Sequence, residues 1–266
     1  MNIKGNHIIY NGKLLLASEI TTPDPSLYAV IYEVFRIENY KPLFIHDHLV
    51  RMFNSLQKAV TKVSFSKDDI INDIDNLISN ENIKDGNIKI SCFSTKNTVE
   101  TLLIHYIPTF YPSDEMYNNG VSTILLHAER ENPNIKIDNT STRKKAIDIL
   151  NNSHHYEALL VNHDDLITEG SKSNIFFIHG DHIYTSPEHF ILPGIMRSKV
   201  IDCILKEDIE LRFECLNINQ LQHIDAAFIT GTSPRILPIS QIDNFKLDVN
   251  NKLLRLLMKD LAELIR

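Results

Sequence analysis

Tyr156–Arg197 reads YEALLVNHDDLITEGSKSNIFFIHGDHIYTSPEHFILPGIMR, and its reading decides the fold. Three short apolar runs lie in it, Ala158–Val161, Ile175–Ile178 and His182–Tyr184. Polar clusters separate them at Asn162–Asp165 and His179–Asp181. Short apolar runs bounded by turn residues predict a β-meander. Between the first two runs stands Thr168-Glu169-Gly170-Ser171, a carboxylate arriving at the end of Leu166-Ile167. A carboxylate beside apolar strands is costly unless a cation or hydrogen-bond donors hold it. Taken alone, a Glu-Gly pair is also the pattern of a turn facing water.

Downstream of this stretch, Pro193-Gly194 leads into a helix from about Met196 to Lys206, whose first N–H groups make an anion site. Ala226–Ile229 is a buried strand ending in the hydroxyl-rich turn Thr230-Gly231-Thr232-Ser233-Pro234. Asn250 caps a closing helix with Leu253, Leu254, Leu257, Leu261 and Leu264 inward. Upstream, Thr140 or Ser141 caps a helix to about Asn152, and the loop Asn132–Asn139 contains Lys136. Val121–His127 is a strand, and Pro108–Gly120, with two prolines in a polar run, reads as a linker.

Ahead of the linker, Asn11-Gly12 joins the hairpin strands Ile8–Tyr10 and Leu14–Leu16. Tyr28–Ile37 is a strand, Asn39–Pro42 a turn and Leu43–Ile45 a returning strand. Asp47 caps a helix to about Thr61 that buries Leu49, Met52, Phe53, Leu56, Ala59 and Val60. Ser66 caps a second helix with Asp69 as its capping-box acid. Asn87–Phe93 and Thr101–Ile107 are alternating strands. The fold class is α+β in two domains: 1–107, a linker at 108–120, and 121–266 carrying Lys136.

The 266 residues are 43% hydrophobic and 23% charged with net charge −7, the balance of a soluble globular chain. Lys and Arg form no basic stripe, which argues against nucleic acid as a partner. Cys92, Cys203 and Cys215 are odd in number and far apart, and the histidines have no metal-ligand spacing, so neither a disulfide framework nor a metal site is expected. No apolar run has the length of a signal or a membrane span, which points to the cytoplasm.

Four features stand in order: His48-Leu49 followed by Arg51; Lys136, in a Lys-x-x-Asn with Asn139, standing 33 residues before the strand-end Glu169; Leu192–Ile195 opening a helix; and Thr230–Ser233 ending a strand. In this order they resemble the class IV aminotransferases, the fold-type IV pyridoxal-phosphate enzymes. That family includes branched-chain and D-amino acid aminotransferases and 4-amino-4-deoxychorismate lyase. The resemblance implies pyridoxal 5'-phosphate held between two domains, with Lys136 as the Schiff-base lysine and the base that moves the substrate's α-proton. It implies that Glu169 pairs with the pyridinium nitrogen, the ring then being the cation that a buried carboxylate needs. Arg51, the N–H groups of Ile195 and Met196, and the Thr232 hydroxyl would hold the phosphate. Leu192 would pack on a ring face, Tyr32 would stand on the substrate side, and Ser233 would meet the substrate carboxylate. As a strand aromatic, Tyr32 reads equally as core. A homodimer, with amino acid and 2-oxo acid substrates, is also implied.

The chain departs from the family's pattern in three places. Tyr28–Ile31 replaces the usual Gly-Asp-Gly. Pro234 removes one of the two N–H groups that branched-chain enzymes turn to the carboxylate. Cys92–Lys96 lacks the arginine of the D-amino acid enzymes, leaving Lys96, Arg36, Arg143 and Arg235 as substitutes. Transamination is therefore the first expectation. Release of pyruvate from aminodeoxychorismate is the second, and a non-catalytic cofactor-binding homologue the third.

Overall fold

The structure is a computed structural model, and it describes residues 3–265 other than 22, 60, 61, 96 and 139. The expectations placed on Val60, Thr61, Lys96 and Asn139 lie outside the described residues. The chain divides into two compact units: Met1–Phe110 with Ile135–Asn139, and Tyr111–Asn134 with Thr140–Arg266. Lys136, counted with the later domain from sequence, thus packs with the first unit.

In the first unit the strands are β1 (His7–Tyr10), β2 (Lys13–Leu16), β3 (Ala29–Glu38), β4 (Lys41–Pro42), β5 (Gly86–Ser94) and β6 (Val99–Ile107). They form one antiparallel sheet in the order β2-β1-β6-β5-β3-β4. The helices are α1 (Ile45–Ala59) and α2 (Lys67–Glu81). The expected returning strand at Leu43–Ile45 is instead the two-residue β4, because Asn39 and Tyr40, both with positive φ, turn the chain at once. The helix then starts at Ile45, which leaves Asp47 in its first turn rather than at its cap. Ser66 and Asp69 do form the capping box of α2.

Alternation along β3 and β5 turns Ile31, Phe35, Ile88, Ile90 and Cys92 to the helices. There they meet Leu49, Met52 and Leu56 of α1 and Ile70, Ile74 and Leu77 of α2. Full burial of three such side chains stabilises by about 6 kcal/mol, as much as a small domain's whole margin. Docking of α1 is therefore firm, and it carries His48 and Arg51 with it.

The second unit holds a ten-stranded sheet. Its strands are β7 (Val121–His127), β8 (Glu157–Val161), β9 (Leu166–Gly170), β10 (Asn174–His179), β11 (His182–Thr185), β12 (Glu210–Phe213), β13 (Leu216–Asn217), β14 (Ala226–Gly231), β15 (Arg235–Ile242) and β16 (Phe245–Lys246). Its helices are α3 (Asp114–Asn119), inside the stretch read as a linker, α4 (Ser141–Asn151), α5 (Ile195–Lys206) and α6 (Lys252–Ile265). The strand order is β12-β11-β10-β14-β15-β7-β8-β9-β13, with β16 on β15. The expected meander is thus two separate hairpins, β8–β9 and β10–β11, with β14, β15 and β7 between β10 and β8. Apolar runs show that strands exist but not which strand each one pairs with. Phe176 and Phe228 stack at 5.0 Å where β10 meets β14. The closing helix is capped by Asn251, whose side chain accepts from the N–H groups of Leu253 and Leu254, one residue later than expected.

Candidate active site

In the first unit, residues 135–138 run along the edge of β3. The N–H of Tyr32 donates to the Lys136 carbonyl, and the N–H of Asp138 donates to Val30. Ile31 bridges to Ile137, and Ile135 and Ile137 join the helix-side core. Strand alternation then turns Lys136 and Asp138 to the other sheet face, the face of Tyr32. The Lys136 amine stands 4.8 Å from the Tyr32 ring centroid. The Lys89 amine stands at the same distance and pairs with Asp138. Sequence reasoning missed Lys89, since nothing local ties a strand lysine to an aspartate 49 residues on.

Arg51 has a partner of its own. Its Nε and Nη2 donate to the two oxygens of Glu33 at 2.8 and 2.7 Å, and Nδ1 of His48 lies 2.9 Å from Glu33. Glu33 is fully buried. Burial alone would raise its carboxyl, but Arg51 and His48 outweigh that and hold it well below the usual range. Burial also lowers His48 in spite of Glu33, so the imidazole stays neutral at neutral pH. A guanidinium has five N–H donors, of which Glu33 takes two.

In the second unit, Glu169 lies in β9 at 2% exposure. Its Oε1 meets Nε of Arg130 at 2.7 Å. Its Oε2 accepts from the Leu192 N–H at 3.2 Å and from the Asn174 amide at 3.3 Å. The turn facing water is therefore excluded. One cation beside this carboxylate is Arg130, which no local pattern picks out. Asn174 also donates to the Leu192 carbonyl at 2.9 Å, placing Leu192 beside Glu169.

Gly194 caps α5 without a side-chain acceptor, so Ile195 and Met196 open the helix. A Cβ on Gly194 would stand 2.0 Å from the Asn174 amide oxygen, so any other residue there would displace that amide. Thr232 and Ser233 form the turn from β14 to β15, where the Pro234 carbonyl accepts from the Tyr117 hydroxyl at 3.0 Å. Of the arginines weighed as carboxylate anchors, Arg36 pairs with Glu38 at 2.7 Å, Arg143 lies in the first turn of α4 and Arg235 opens β15. Arg197, in the first turn of α5, is buried and donates to the Ser186 carbonyl at 2.8 Å; burial lowers its pKa.

The residues of the second unit fit a phosphorylated pyridine. Thr230 pairs across the sheet with Asn174, and its buried hydroxyl has no hydrogen-bond partner among the described residues. A bound molecule would supply one. The α5 N-terminus suits an anion, and Glu169 suits a protonated ring nitrogen. Among the described residues no group of His, Cys, Asp and Glu could hold a metal, and no helix is long and apolar enough to cross a membrane.

The model of the family described as amino-transferase class IV matches residues 30–242. The chain belongs to the class IV aminotransferase family. D-alanine aminotransferase of Bacillus licheniformis is 25% identical to this class IV chain over 256 residues, covering 89% of it and 88% of the relative. A probable branched-chain-amino-acid aminotransferase of Rickettsia typhi is 28% identical over 228 residues, covering 80% and 78%. Among solved structures, the Escherichia coli branched-chain amino acid aminotransferase superposes with a TM-score of 0.88 at 19% identity, covering 98% of this chain and 95% of that one. That likeness is one of fold.

Proposed function

We propose that this class IV enzyme uses pyridoxal 5'-phosphate to move an amino group from an amino acid, of branched-chain or D-amino acid type, to a 2-oxo acid. The observation that carries this reading is Glu169, a buried carboxylate held in place by Arg130, Asn174 and the Leu192 N–H. When bound, the cofactor supplies an electron sink for the charge left as the substrate's α-proton departs. Glu169 would keep the ring nitrogen protonated. Lys136 would carry the cofactor and, with its amine, take the α-proton and return it. Arg51, fixed by Glu33, would bind the phosphate together with the N–H groups of Ile195 and Met196 and the Thr232 hydroxyl. Leu192 would lie against the ring.

On the substrate side, Tyr32 and Ser233 would line the wall. Lys89 would supply the carboxylate anchor that the missing arginine leaves unfilled. Its ammonium has three donors, and Asp138 holds it against Tyr32. The chain would work as a homodimer, which sedimentation equilibrium measures directly.

The decisive test adds single amino acids, without an acceptor, to protein loaded with pyridoxal phosphate. The cofactor's absorbance should change with one class of donor, and the matching 2-oxo acid should appear in the solution. A spectrum that no amino acid alters, with pyruvate released from aminodeoxychorismate, would replace this reading with the lyase. No reaction with either would leave the non-catalytic homologue.

A further inference from the structure

The second unit contains a buried carboxylate to which no role above is assigned. Glu157 opens β8 and is fully buried. Its Oε1 accepts from the Ala158 N–H at 2.9 Å and from the Ser171 hydroxyl at 2.7 Å. Its Oε2 accepts from the Ser173 hydroxyl at 2.9 Å. These donors are all neutral. Burying a carboxylate costs several kcal/mol, and neutral donors recover only part of it. An apolar side chain would fill this place in β8 at lower cost, so the strand does not explain the carboxylate.

The turn does. Ser171–Ser173 connects β9 to β10, and a site residue stands at each end of it: Glu169 before and Asn174 after. The Gly170 N–H donates to the Ser173 carbonyl at 2.8 Å, and the Ser171 N–H donates to Ala158 at 2.8 Å. A Cβ on Gly170 would stand 2.1 Å from the Ser173 oxygen and 3.1 Å from the Glu157 carboxyl carbon. The carboxylate therefore packs against the backbone next to Glu169. The Ser171 carbonyl in turn accepts from Nη2 of Arg130 at 3.2 Å, and Nε of the same arginine meets Glu169 at 2.7 Å.

We propose that Glu157 is a positioning residue. By gripping the two serine hydroxyls it fixes the turn that sets Glu169, Asn174 and Arg130 relative to one another, and with them the grip of this wall on the cofactor's protonated ring nitrogen. This rests on the reading of Glu169 given above. The grip is one of geometry rather than charge. Glutamine at 157 keeps a carbonyl oxygen for Ala158 and Ser171 and offers an amide N–H to the Ser173 oxygen.

The test titrates pyridoxal 5'-phosphate into the cofactor-free full-length chain, following cofactor absorbance, beside thermal melts of the same cofactor-free proteins. Glu157→Ala should weaken binding about tenfold, the size of one lost hydrogen bond. Glu157→Gln should stay within about threefold, inside the range of a neutral hydrogen bond. The double variant Ser171→Ala/Ser173→Ala should match Glu157→Ala, and combining all three should add nothing further. Because it removes only two hydroxyls, the serine variant carries the test even if Glu157→Ala does not fold. Lower melting temperatures with unchanged cofactor affinity would mean a purely structural carboxylate and overturn the proposal. So would a Glu157→Gln variant as weak as Glu157→Ala. Glu169→Gln separates the two levels. If it binds the cofactor as the parent does, the reading of Glu169 falls and the inference falls with it. If it loses affinity while the serine variant does not, the inference alone fails.

Discussion

Glu33 and Glu169 are both carboxylates within buried strands, one in each unit, and each has an arginine. Glu33 takes two parallel bonds from Arg51 and a third contact from His48, all from side chains on one docked helix. Glu169 meets a nitrogen of Arg130 and also accepts from a backbone N–H and an amide near the ends of loops. A clamp made only of side chains fails when one partner is removed. One that shares its load with the backbone degrades more gradually, and it depends on the turns that shape that backbone.

The largest expected effect lies outside both clamps. Lys136→Ala should lower turnover on the order of 10³-fold, the scale of a lost proton-transfer group. Borohydride should fix the cofactor to the parent chain and not to the variant, as intact mass will show. Retention in the variant would assign the role to another lysine.

Glu33→Gln should cost about 3–5 kcal/mol in chemical denaturation, since the two-bond charged pair between fully buried Glu33 and part-buried Arg51 is lost. Glu169→Gln should cost about 1–3 kcal/mol, because Arg130 keeps the Ser171 carbonyl. Equal losses would break the distinction. The sign in acid follows from the depressed Glu33 carboxyl. Its contribution is complete above the ordinary value of 4.5 and is lost as pH falls from there toward its lower folded value.

His105 sharpens the picture of the first unit. Burial lowers this histidine from 6.5 to about 4, against a bond between Nδ1 and the Tyr106 carbonyl. The fold therefore favours the neutral ring. Stability is complete above pH 6.5 and falls by about 3 kcal/mol as pH drops through about 4. His105→Leu should flatten that slope in urea melts taken across the range, and an unchanged slope would transfer it to His48. The smallest effect is expected at Pro234. Pro234→Ala keeps the carbonyl that Tyr117 donates to and restores one N–H, so KM for α-carboxylate donors should fall about threefold. An unchanged KM across a panel of amino acids would show that this N–H does not reach the substrate.

What could be read from sequence was local. The Asn11-Gly12 turn, the Ser66–Asp69 box and the Gly194 helix start each follow from a few adjacent residues. The partners of the site residues were hidden. Arg130 with Glu169, Arg51 with Glu33, and Lys89 with Asp138 are each set by strand register or helix docking between distant segments. The separation of β8 from β10 was hidden for the same reason, because alternation gives a strand its two faces but not its neighbours.

The strip 135–138 along β3 has a further consequence for synthesis. The backbone groups of Tyr32 and Val30 on that edge find their partners in Lys136 and Asp138, some hundred residues later in the chain. While the polypeptide leaves the ribosome, that edge stays open until the strip emerges, and open strand edges invite pairing with other chains. A fragment ending at Phe110 would contain β1 to β6 with α1 and α2 and still be sticky, lacking the strip 135–138 that finishes its border.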